Sequence, residues 1–186
     1  MRYLLRASTL IGRPVLTLNG ESPLEVKDVV FDGTSGQILG FTLRHHGFLG
    51  GPSDDSLAWE HVHGLGPDAV VVADDSVLVP APVADTHGGN VIGNRVITEG
   101  GADLGEVVEV VVAVGGATGV VGFEIEATPG LRPDDDHHVF IPLPDTLAIS
   151  GERIIVPDSA TEYMRDDLSG FGGAVDAFRS KLAEAR

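Results

Sequence analysis

No cysteine occurs among the 186 residues. That excludes disulfides, thiolate metal sites and cysteine nucleophiles, and it fits a reducing interior. Basic residues are scarce: 12 Lys and Arg stand against 28 Asp and Glu, a formal charge of −16. A chain of that sign repels phosphate backbones and anionic membrane surfaces, so no direct nucleic-acid partner is expected. No apolar run approaches the roughly 20 residues that cross a bilayer. The opening MRYLLRASTLIG carries two arginines but an apolar stretch shorter than a signal core. A cytoplasmic chain without membrane insertion is the expectation. Catalytic signatures are missing as well, since no Ser sits in a G-x-S-x-G elbow. The segment Gly115-Gly116-Ala117-Thr118-Gly119 lacks the lysine and following helix of a phosphate loop and reads as a turn. No enzyme activity, catalytic residue or cofactor is expected.

What the chain has in quantity is short β-branched runs separated by glycine. With 42% hydrophobic and 22% charged residues it is globular. The run Val107 to Glu126, VVEVVVAVGGATGVVGFEIE, reads as a hairpin, because β-branched residues fit a pleated surface and glycines supply the turn. Val26 to Arg44, VKDVVFDGTSGQILGFTLR, has the same order: valines with an acid, a Gly/Thr turn, then Gly-Phe. Upstream, LIGRPV at Leu10 to Val15 matches VIGNRV at Val91 to Val96, an offset of 81 residues. The offset becomes 82 at Gly40-Phe41 against Gly122-Phe123, where the second turn is one residue longer. Downstream, Leu57-Ala58-Trp59 matches Ile141-Pro142-Leu143, and Leu65 to Val72 matches Ile149 to Val156. Slippage confined to turns is what a duplication leaves behind. Pro80-Ala81-Pro82 and His87-Gly88-Gly89-Asn90 mark the boundary, giving units of 1–86 and 87–160 and a tail of 161–186.

Alternation assigns the faces of each hairpin. In the first, Val29, Phe31, Leu39, Phe41 and Leu43 point inward, and Asp28, Asp32, Thr42 and Arg44 face solvent. In the second, Val110, Val112, Val121, Phe123 and Ile125 point inward, yet Val107, Val111, Ala113 and Val120 make the opposite face apolar as well. Strands apolar on both faces are usually buried on both. The first unit, the tail or another subunit must then cover the second. In the tail, Val175, Phe178 and Leu182 recur at helical spacing within 174–185, and Gly170, Gly172 and Gly173 before them read as a flexible joint.

The shared order of Ile-Gly, acid-bearing valine strand, Gly-Phe return and final β-branched strand resembles the PRC-barrel family. The residues that carry it are Ile11-Gly12, Asp28-Val29-Val30, Gly40-Phe41, Ala58-Trp59, Val62 and Asp68 to Val72. They recur as Ile92-Gly93, Glu109-Val110-Val111, Gly122-Phe123, Ile141-Pro142 and Ile154-Ile155-Val156. The family is shared by the cytoplasmic domain of the photosynthetic reaction centre H subunit and the C-terminal domain of a ribosome maturation factor. The chain departs from the pattern at Ala58, where a proline is expected, and at Leu143, which replaces the tryptophan. The resemblance implies an all-β protein: two tandem small antiparallel PRC-like β-barrels with a short C-terminal α-helix. It also implies a non-enzymatic adaptor or scaffold that binds a protein partner, with a homodimer as one arrangement. A ribosome or RNA-processing assembly factor is the reading that family analogy adds, and the acidic charge would direct it to ribosomal protein rather than RNA.

Three groups are candidates for contact. Phe48 and Leu49 lie between glycines in HHGFLGGPSDD, and Leu131 occupies the matching loop. Val107, Val111 and Val120, with Ala113, form the outward apolar face. Asp134, Asp136, His137 and His138 offer carboxylate and imidazole ligands for a divalent metal, but adjacent residues of an extended chain point to opposite sides, so such a site needs help from elsewhere. The alternative function that this group supports is a metal-binding or regulatory module.

Overall fold

The structure is a computed structural model that describes residues 3–21, 24–32, 35–45, 52–80, 91–115, 119–131, 138–144, 148–150 and 152–184. The chain opens with β1 (Tyr3–Arg6) and a 3-10 turn at Ala7–Leu10. Then come β2 (Pro14–Thr17), β3 (Leu24–Phe31), β4 (Ile38–His45), β5 (Pro52–Ala58), β6 (Val62–Leu65) and β7 (Val70–Val72). A second series follows: β8 (Arg95–Thr98), β9 (Asp103–Val114), β10 (Gly119–Ala127), β11 (His138–Pro142), β12 (Ala148–Ser150) and β13 (Arg153–Val156). A 3-10 segment, Asp158–Tyr163, leads to α1 (Leu168–Glu184). The protein is thus mostly β with one short C-terminal helix.

The first sheet runs β5-β4-β3-β2-β7-β6 and the second β11-β10-β9-β8-β13-β12, so the strand order is the same in both. Neither sheet closes. The edge strands β5 and β11 each make one isolated bridge to a segment outside the sheets. Ser56 and Val79 exchange backbone bonds of 2.9 and 3.2 Å, and Phe140 and Arg165 exchange bonds of 2.7 and 3.0 Å. The sheets are mixed rather than wholly antiparallel: β2 pairs parallel with β7, and β8 with β13. The intervening strands serve as the long crossover that a parallel pair requires.

Glycine explains why the repeated Ile-Gly holds its place. Gly12 and Gly93 have φ of 81° and 90°, a region closed to most side chains. From there their N–H groups donate to Val26 and Val107 carbonyls, each at 2.8 Å. The next turns repeat too. Gly20 and Gly101 share a φ of 86°, and the buried Thr17 and Thr98 hydroxyls each accept from a backbone N–H at 3.2 Å.

The expected hairpin faces need correction where the ladders bulge. In the second hairpin the register shifts between Val120 and Gly122 and between Glu124 and Ile125. Each extra residue reverses the alternation beyond it. Val107 and Val120 therefore join Val110, Val112, Phe123 and Ile125 on the inner face, while Val121 moves to the outer face beside Val111 and Ala113. In the first hairpin a shift between Val30 and Phe31 buries Ile38 and leaves Leu39 half-exposed.

The helix also begins earlier than the spacing suggests, and Gly170, Gly172 and Gly173 lie inside it. Asp167 caps it: its carboxylate accepts from the Ser169 hydroxyl and, at 2.9 Å, from the Gly170 N–H. These bonds hold the Asp167 carboxyl below its ordinary value, as charge at a helix N-terminus should be.

One feature crosses the 86/87 boundary. β1 pairs antiparallel with β9, from Tyr3 against Val114 to Arg6 against Val111, and so the start of the chain belongs to the second sheet. A single buried cluster accordingly contains Val15, Phe41 and Leu57 from one half and Val96, Phe123, Ile141 and Phe178 from the other.

Candidate functional site

The outer face of the second sheet is where apolar surface, a half-buried ion pair and an open edge meet. α1 lies over it. Phe171, Ala174 and Val175 of the helix pack with Val111, Ala113, Val121 and Phe140 of the sheet as a second buried cluster. Gly122 makes the approach possible: a Cβ there would lie 2.6 Å from the Ile141 carbonyl oxygen and would strike the Phe171 ring. Phe171 fills the space that a side chain would take, with its ring 5.5 Å from that of Phe140. Of the three covers the sequence leaves open, the first unit, the tail or another subunit, it is the tail that lies over Val111 and Ala113.

Beside this patch sits Glu124, only 7% exposed. Arg6 Nε donates to its Oε2 at 2.6 Å and a terminal nitrogen donates to Oε1 at 3.2 Å. His138 Nδ1 lies 3.2 Å from Oε1. Arg6 also stands over the Phe140 ring, 5.4 Å from its centre. Burial pushes the Glu124 carboxyl upward, but the bonds from Arg6 and His138 outweigh it and hold the group below its ordinary value. The same bond raises Arg6 above its usual range. An arginine on the first strand is thereby tied to the tenth and eleventh strands. Glu109, the acid that repeats Asp28, accepts from the Ser8 N–H at 3.3 Å and further anchors the start of the chain.

At the other end of β1 there is a cleft. Tyr3, Leu4, Leu168, Ser169 and Gly172 line a space of about 320 Å³ between β1 and the first turns of α1. Among the described residues no strand pairs with the far edge of β1, while β9 occupies the near edge.

The residues singled out by sequence are placed as follows. Val107, Val111 and Val120 are all buried, at 0%, 0% and 3% exposure. The first and last lie in the main core and the second lies under α1, so this chain covers them itself. Leu131 is half-buried and packs against the main core. Phe48, Leu49, Asp134, Asp136 and His137 lie outside the described residues. His138 is half-exposed and bound to Glu124. Among the described residues no three His, Asp or Glu side chains gather to hold a metal, and no helix is long and apolar enough to cross a membrane. Sequence reasoning missed Arg6, Glu124 and β1 itself. The available signal was an arginine ending the short apolar run YLLR and a glutamate replacing Thr42 of the first unit.

Two isoleucines stay on the surface. Ile11 and Ile92, the equivalent residues of the repeated Ile-Gly turn, are 45% and 37% exposed.

Comparison with known proteins returns one family: the model of the PRC-barrel domain matches residues 4–92. No curated protein matches the chain.

Proposed function

Residues 4–92 of this chain are a PRC-barrel domain, and from that premise we propose that the whole protein is a tandem of two such barrels acting as a non-enzymatic adaptor. Support for the second barrel comes from the equal strand order of the two sheets and from the matching bridges at Ser56 and Phe140. The adaptor reading rests mainly on one observation: the same aliphatic residue is left exposed at the equivalent turn of both halves, at Ile11 and Ile92. The neighbouring glycine has a structural duty in the positive-φ turn, whereas neither isoleucine belongs to a buried cluster. Exposed aliphatic groups on rigid turns are suited to contact with another protein. The charge of −16 adds a preference for a basic partner surface.

The test is the size of the protein in extract of its native cells. An adaptor elutes in a complex larger than its own 19.4 kDa or a dimer of it. Ile11→Asp with Ile92→Asp, which touches no core residue, should release it to the free size with its thermal midpoint intact. Elution of the wild-type chain as a free monomer under all growth conditions would refute the reading.

A further inference from the structure

The geometry points to the far edge of β1 as a docking site for an extended segment of a partner protein, with the cleft under α1 receiving one apolar side chain and nearby acids attracting basic ones. This rests on the adaptor reading and names where and how the partner is held. Two independent observations carry it. β1 is an edge strand whose near side pairs with β9 and whose far side has no strand beside it among the described residues. An exposed edge presents a row of N–H and C=O groups that an extended chain can complete.

Next to that edge lies the cleft of about 320 Å³ lined by Tyr3, Leu4, Leu168, Ser169 and Gly172. Leu4 faces the same side of the sheet as Phe140 and α1. A strand added beside β1 would send alternate side chains to that side, beneath the first turns of the helix. Gly172 leaves the space open, since a Cβ there would meet only Leu4 Cδ1, at 3.8 Å.

The chemistry of the occupant follows from charge. Asp166 and Asp167 are exposed immediately before Leu168, and the whole chain carries −16. A basic segment is attracted to such a field and an acidic one is turned away. The fitting occupant is an extended stretch that alternates apolar and Lys or Arg residues.

The probe is a fluorescein-labelled nine-residue peptide of alternating valine and lysine, titrated against the full chain by anisotropy. Two controls accompany it: the same peptide methylated at alternate backbone nitrogens, and one with glutamate for lysine. The site predicts saturable 1:1 binding, at least tenfold weaker for the methylated peptide and absent for the glutamate peptide. Gly172→Leu, which fills the cleft from a helical position, should weaken binding tenfold or more without lowering the thermal midpoint. Equal binding of the methylated and unmethylated peptides to the wild-type chain would show attraction to the acidic surface alone and overturn the proposal, as would no binding at all. Because the peptide is tested on purified protein and the adaptor reading on native extract, failure of this site leaves the larger complex in extract intact.

Discussion

At the scale of the residue, the two phenylalanines of the repeated Gly-Phe decide most. Phe41 and Phe123 are wholly buried and pair with equivalent neighbours, Leu57 and Ile141. Phe41→Ala or Phe123→Ala should each cost about 3–5 kcal/mol in urea unfolding, the range for removing a buried ring and leaving a cavity. The glycine before Phe123 has a different duty, which is to admit Phe171. Gly122→Ala should destabilise the chain by about 1–3 kcal/mol or more, because the Ile141 backbone cannot yield. Phe171→Ala in the same chain should recover part of that loss. Glu124 predicts a pH dependence. Its folded-state pKa is depressed, so its contribution is complete above the ordinary carboxylate range and is lost as pH falls through the folded value. Thermal midpoints measured from neutral pH into acid should fall, and Glu124→Gln should flatten that slope.

At the scale of the element, the repeat was legible because it rests on residues with few substitutes. Positive φ demands glycine at Gly12, Gly20, Gly93 and Gly101, and the offset of 81 survives there without slippage. The faces of the hairpins were only partly legible, since a bulge is a count of backbone residues and leaves no mark in hydrophobicity. Val121 and Val120 are the same residue type, and only the ladder tells which one faces α1. The helix start was obscured by its glycines. They lower intrinsic helix propensity by about 1 kcal/mol each relative to alanine, yet Asp167 caps the first turn and Phe171 anchors it. Gly173 has nothing within 4 Å of an added Cβ and no positive φ. Gly173→Ala should therefore raise stability by about 0.5–1 kcal/mol, read as a higher urea midpoint with an unchanged slope.

At the scale of the whole molecule, the likeness of the two sheets could be read from sequence but their joining could not. A four-residue strand is too short to announce itself, and nothing in YLLR says that it crosses to β9 rather than staying with its own sheet. That crossing, which the Arg6–Glu124 bond holds to the second sheet, and the merged core predict that the two sheets unfold as one cooperative body. The sequence supplies a natural reporter. Trp59 is the sole tryptophan; it packs on the core of the first sheet, with its ring 6.1 Å from that of Phe41, whereas far-UV circular dichroism reports both sheets and α1. The most direct measurement is equilibrium urea unfolding of the full chain followed by both signals. One cooperative body predicts coincident transitions with the same midpoint and slope. A Trp59 transition separated from the dichroism transition would mean that the sheets unfold independently, and would contradict the account.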